Sequence, residues 1–223
     1  FIIVSYVMLS ANQSQANISP LCQAARNGDT EAVNALIAAG AEVNAQGKDG
    51  DTALMFAARR GHTEAVNALI AAGAEVNART HSGITALMFA ARRGHAEIAN
   101  ELIHAGAEVN ASNNDGDNTA LIEAVRKRSI DANDVKIVKL LMAAGAEVNV
   151  QDRYGDTVLM FVVRHGQTEP VDILIAAGAD VNVHGHHNRT ALMDAALSGH
   201  AEIVKMLIAA GADVTVQGKF GNT

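Results

Sequence analysis

The chain has no tryptophan, two prolines, one cysteine and 3% aromatic residues among its 223 positions. Cys22 alone can form neither an internal disulfide nor a multi-cysteine zinc site. No run approaches the roughly 18 consecutive apolar residues of a membrane-spanning helix, so stable membrane insertion is not expected. Positive charge is in deficit, with 17 Lys and Arg against 24 Asp and Glu and a net charge of −7. That balance argues against nucleic acid as a partner, because nucleic-acid binding draws on a positive field. Catalytic motifs are missing as well: there is no P-loop, dinucleotide glycine fingerprint, nucleophile elbow or zinc-protease helix. An enzyme is therefore not expected, nor a cofactor. What remains is 49% hydrophobic residues with few large rings. Alanine and small aliphatics must build the core, which suits thin helices in close contact.

Self-similarity organises the chain. Thr52-Ala-Leu-Met-Phe-Ala-Ala-Arg-Arg-Gly-His62 returns almost unchanged as Thr85 to His95. Looser copies begin at Ser19, Thr119, Thr157 and Thr190, and Thr223 stands where another would begin. A second phrase, Gly-Ala-(Glu/Asp)-Val-Asn, runs in step at Gly40, Gly73, Gly106, Gly145 and Gly178, with Thr215 closing a variant. Six repeats are complete.

In the second repeat, Thr52 is placed to cap a helix by accepting from first-turn amides. Leu54, Ala57 and Ala58 give an i, i+3, i+4 stripe that ends at Gly61. A second helix from about Thr63 turns Ala65, Val66, Leu69 and Ile70 inward and stops at Gly73. Glu75 to Ala78 is predicted extended, with a turn at His81-Ser82-Gly83. Helices this short fall below the ~12–15 residues needed for marginal stability in water. Each repeat must bury its stripe on its neighbours, and a buried Leu, Ile or Val contributes about 1.5–3 kcal/mol.

The phrases Thr-Ala-Leu-Met-x-Ala-Ala-x-x-Gly-His and Leu-Ile-x-x-Gly-Ala-(Glu/Asp)-Val-Asn resemble the ankyrin repeat, from Ser19 to Thr223. The resemblance implies an all-α solenoid of stacked helix-turn-helix units with projecting β-hairpin loops, and a non-catalytic role in protein binding. It also implies that the ends of the first helices look onto a partner-binding groove. Two family features differ. Pro in the opening phrase, kept at Pro20, is elsewhere replaced by Ala or, in the fifth repeat, by Val158, and Met replaces its His at Met55, Met88, Met160 and Met193. These methionines are expected to fill core, and His62, His95 and His200, one per repeat after the helix-ending Gly, to be structural.

Irregularities stand out against this regularity. The fourth repeat carries extra residues from Lys127 to Asp134, read either as a longer surface turn or as a dedicated contact point. Val162 and Val163 replace the paired alanines and predict local overpacking, while Pro170 falls in a first helical turn, where its missing N–H is harmless. Residues 1–16, from the apolar Phe1–Leu9 run, read as the remnant of an export signal with a joint to residue 18; a capping helix is the alternative. Export places the protein in the periplasm or outside the cell; without it, the cytoplasm is expected.

Nine of the 17 Lys and Arg gather where first helices end: Arg26, Arg59, Arg60, Arg92, Arg93, Arg126, Lys127, Arg128 and Arg164. Helix-dipole compensation, at roughly 0.3–1 kcal/mol each, is one reading of this column. A basic groove for an acidic protein segment is the other, since arginine pairs with carboxylates bidentately. Leu197 and Ser198 end the column in the sixth repeat, and Asp194 replaces phenylalanine as a candidate polar contact there. The tips vary where the core does not, offering Lys48, His81, Arg153, Tyr154 and His186 as further partner contacts. His184, His186 and His187 are read as exposed tip residues rather than a metal site. The expected function is thus a monomeric scaffold that binds a partner protein. The alternatives are a secreted effector and the targeting part of an enzyme continuing past residue 223.

Overall fold

The computed structural model describes residues 18–127 and 129–218. The apolar amino-terminal run, Arg128 and Thr223 lie outside them. Twelve α-helices are present among the described residues, in six pairs. The first pair is α1 (Pro20–Asn27) and α2 (Thr30–Ala38), followed by α3 (Ala53–Arg60) and α4 (Thr63–Ala71), then α5 (Ala86–Arg93) and α6 (Ala96–His104). The later pairs are α7 (Ala120–Val125) and α8 (Ala132–Ala143), α9 (Val158–His165) and α10 (Thr168–Ala176), and α11 (Ala191–Leu197) and α12 (Ala201–Ala209). They form two compact bodies, one ending at Glu108 and one beginning at Val109.

In the amino-terminal body α1, α3 and α5 pack side by side, and α2, α4 and α6 form a second layer. In the carboxy-terminal body α7, α9 and α11 pack in the same way, backed by α8, α10 and α12. Every first helix opens on the expected cap. Ser19 Oγ accepts from Cys22 N at 3.2 Å, and Thr52 and Thr85 accept from Met55 and Met88 at 3.3 Å. Thr119, Thr157 and Thr190 do the same at 3.4 Å. The core is the predicted stripe: Leu54, Ala57, Ala58, Ala65, Val66 and Leu69 are buried, while Ile70 is half-buried. Met55, Met88 and Met160 are buried too, and Met193 is half-buried.

The connections differ from expectation in two ways. The segment after each second helix is not extended: Ala78 N donates to Glu75 O at 3.1 Å, closing a turn around Val76 and Asn77. The projecting hairpins are also reduced to turns. Thr80 N donates to Ile84 O at 3.0 Å and Gly83 N to Thr80 O at 2.8 Å, and this pair of bonds recurs from tip to tip. Among the described residues the only β-pairing is two isolated bridges, Ser112 with Thr119 and Gln151 with Thr157. Arms of four or five residues leave no room for a ladder.

The bent connection positions the asparagine of each Gly-Ala-(Glu/Asp)-Val-Asn phrase. Asn44 donates to Gly73 O at 3.2 Å and accepts from Glu75 N at 2.8 Å, linking its repeat to the next. Asn77 repeats this with Gly106 and Glu108, Asn110 with Gly145 and Glu147, Asn149 with Gly178 and Asp180, and Asn182 with Gly211 and Asp213. The carbonyl served belongs to the glycine that follows the cap of each second helix. The repeating histidines form a second link. His62 sits against Gly28, where an added Cβ would lie 2.5 Å from the ring, and its Nε2 is 3.2 Å from Arg26 O. His95 covers Gly61 and His200 covers Gly166 in the same manner.

The fourth repeat spends its extra residues partly on helix. α7 has six residues where other first helices have seven or eight, whereas α8 has twelve where other second helices have nine. The added turn, Ala132 to Asp134, is closed by a capping box between Asp131 and Asp134. Buried Ile130 anchors the loop, and its carbonyl accepts from Gln167, which stands where other repeats carry the stacking histidine. Val162 and Val163 are fully buried in α9, which packs less extensively on α7 and α11 than α3 does on α1 and α5. Pro170 lies buried in the first turn of α10.

Candidate partner-binding surface

The basic column exists in the fold, but four of its nine cations are neutralised from within. In α3, Arg59 donates to Asp51 at 2.8 Å and stacks its guanidinium 3.9 Å from the centroid of Phe89, with the Phe56 centroid at 5.8 Å. Arg126 bonds the buried Asp152 at 3.0 Å and lies 5.6 Å from the Phe161 ring. Lys127 is held by the buried Asp134 at the start of α8. Arg164 takes two carboxylates, Asp156 and Asp194, each at 2.7 Å. These four cations were candidates for a partner; the structure gives each a structural carboxylate. Arg60, Arg92 and Arg93 are exposed at the ends of α3 and α5.

Asp194 is fully buried, between Arg164 and Arg189, and offers no groove contact. Burial pushes its carboxyl upward against the pull of the two arginines. Asp156 moves the other way: although burial opposes it, bonds from Arg164 and from the His186 amide hold its carboxyl below the usual range. In Arg59, burial is the main influence lowering the guanidinium, offset by Asp51 and reinforced by the like charges of Arg93, Arg92 and Arg60. Arg60, Arg92 and Arg93 thus lie near enough to Arg59 for their charge to act on it, as does Asp51.

The tips divide similarly. Lys48 and His81 are exposed in the amino-terminal body, joined where His81 N donates to Asp49 O at 2.9 Å. In the carboxy-terminal body Arg153 is bound to Asp117 and reaches Asp115 at 3.5 Å. Burial resists ionisation of Asp117, yet bonds from Asn113 and Arg153 hold its carboxyl low. Tyr154 is 59% exposed, and His186 meets it edge-on at 5.3 Å and lies 3.7 Å from the His187 ring. Tyr154 and His186 are thus brought together, and Arg153 next to them is committed to acids of the preceding tip. No group of three or more potential metal ligands occurs among the described residues.

Reading the sequence for cations missed their counter-ions. The signal was present: Asp51 and Arg59, and Asp156 and Arg164, are both eight residues apart across the capping threonine. That places an acid at the start of a first helix beneath a cation two turns later.

Comparison with known proteins agrees with this architecture. A family model for ankyrin repeats (three copies) matches residues 21–113, 80–132 and 121–218. No curated protein matches the chain. Among solved structures, the crystal structure of the human ASB11 ankyrin repeat domain is similar, with a TM-score of 0.79 and 27% sequence identity over 92% of this chain and 89% of that one. With capped helix pairs, glycine-seated histidines and a family match spanning nearly all the described residues, the chain belongs to the ankyrin repeat family.

Proposed function

We propose that this protein is a non-catalytic scaffold that captures a partner protein through an acidic segment, received at the ends of α3 and α5. Ankyrin repeats are in general protein-interaction modules, and the family assignment supports that much directly. The acidic character of the segment rests on one observation: Arg60 and Arg93 are exposed and make no ion pair among the described residues, in a protein of charge −7. The Tyr154–His186 pair supplies a second, aromatic contact of the kind that anchors interfaces.

The test compares capture by the native chain and by Arg60→Glu/Arg93→Glu. The exposed side chains can be reversed without touching the core, so helical circular dichroism should stay unchanged while bound proteins are lost. Identical capture by both chains contradicts the reading.

A further inference from the structure

In the sequence register of Arg60, successive repeats carry Asn27, Arg60, Arg93, Lys127, His165 and Ser198. Lys127 is consumed by Asp134, and Arg60 and Arg93 are the two arginines in the row. We propose that Arg60 and Arg93 act as a pair of prongs for an extended peptide whose carboxylates stand three residues apart. This deepens the acidic-segment reading and rests on it.

The spacing follows from geometry. Arg60 and Arg93 are the last residues of α3 and α5, which pack directly side by side. Packed helices run about 8–10 Å apart. A peptide in the extended polyproline II form advances about 3.1 Å per residue with three residues per turn, so side chains three residues apart share one face and are separated by about 9 Å. Adjacent carboxylates fall short of that span, and those five apart overshoot it.

The surroundings favour such a ligand. Arg59, the neighbour of Arg60 in α3, bridges to α5 by stacking over Phe89, with the half-buried Phe56 also near it. Arg59 is itself held by Asp51, and Ile84 occupies the position of Asp51 in the following repeat. The clustered like charges gain when carboxylates settle between them. The protein also shows carboxylate recognition beside this row within its own fold: Arg164, the penultimate residue of α9 and in the register of Arg59, binds Asp194 from the next repeat and Asp156 from its own. Arginine at this place on the scaffold takes carboxylates from outside its helix.

The experiment uses the full chain and labelled nine-residue peptides of Ser, Gly and Ala bearing two glutamates one, three, five or seven residues apart, read by fluorescence anisotropy at low salt. The three-residue spacing should bind about tenfold tighter than the others, and Arg60→Gln or Arg93→Gln alone should erase that preference. Arg26→Gln should not. Equal binding at all spacings, still weakened by Arg60→Gln, overturns the paired prongs and leaves the acidic-segment reading standing. A preference for seven residues indicates a helical ligand and overturns the extended form. No binding of any acidic peptide overturns both.

Discussion

Cys22 illustrates how burial governs chemistry at the level of one residue. Its thiol is buried in α1 at 2% exposure, and desolvation raises it above its ordinary value despite the Ser19 hydroxyl. Thiolate, the reactive form, is doubly suppressed. Thiol reagents should therefore label Cys22 only as the repeat opens, with rates that climb alongside denaturant; immediate labelling of the folded chain contradicts this. Asp117 and Asp156 give the acid response. Both are held below the usual carboxylate range in the fold, so they bind fewer protons there than in the unfolded chain. Their contribution is complete above the ordinary carboxylate value and disappears as pH falls through their lowered values. Asp194 has the opposite sign: raised in the fold, it contributes fully below the ordinary value and loses that contribution as pH rises through its own. Replacing Asp156 by Asn should flatten the acid limb of a stability-versus-pH curve and cost about 1–3 kcal/mol at neutral pH.

At the level of elements, two devices join one helix pair to the next. Asn77 makes two bonds to the following repeat, so Asn77→Ala should lower stability by about 1–2 kcal/mol in urea titration, with Asn77→Asp intermediate because it keeps the acceptor alone. Gly61 has φ +83°, and a Cβ there would lie 2.7 Å from the His95 ring. Gly61→Ala should cost more than about 1 kcal/mol, through backbone strain and a displaced imidazole together. These elements were largely legible in the sequence. Thr52, Leu54, Ala57 and Gly61 mark a cap, a stripe and a stop that depend on neighbours along the chain. The structural role of His62 was legible from its recurrence, although its seat on Gly28 was not. Asn77 and Arg59 were harder, because their partners, Gly106 and Phe89, are about one repeat away. The bend at Val76–Asn77 escaped for the same reason: it serves a carbonyl of the next repeat. The added turn of α8 was hidden in a polar string until Asp131 and Asp134 were seen to close on one another.

Across the whole molecule the two bodies are held by different chemistry. The amino-terminal body relies on alanine, leucine and methionine stripes, with Arg59–Asp51 as a half-buried ion pair. The carboxy-terminal body adds Arg126–Asp152, Lys127–Asp134, Arg153–Asp117 and the Arg164–Asp156–Asp194–Arg189 cluster, whose acids are all buried. Asp117 and Asp156, whose carboxyls are held low, both lie in this second body, so acid should loosen it first. Hydrogen exchange at falling pH should rise in α7 to α12 before α1 to α6, and simultaneous loss of protection in both contradicts this division. The seated histidines have a different bearing, on how such a chain can be rearranged. Each seat is divided between two repeats: Gly28 belongs to one and His62 to the next. The piece that can be duplicated or transplanted is thus not the repeated phrase but the span from one glycine to the histidine that covers it. A splice inside that span puts an imidazole against the wrong surface. Where the fourth repeat grew, its successor carries Gln167 in place of histidine, so lengthening one repeat goes with rewriting its neighbour.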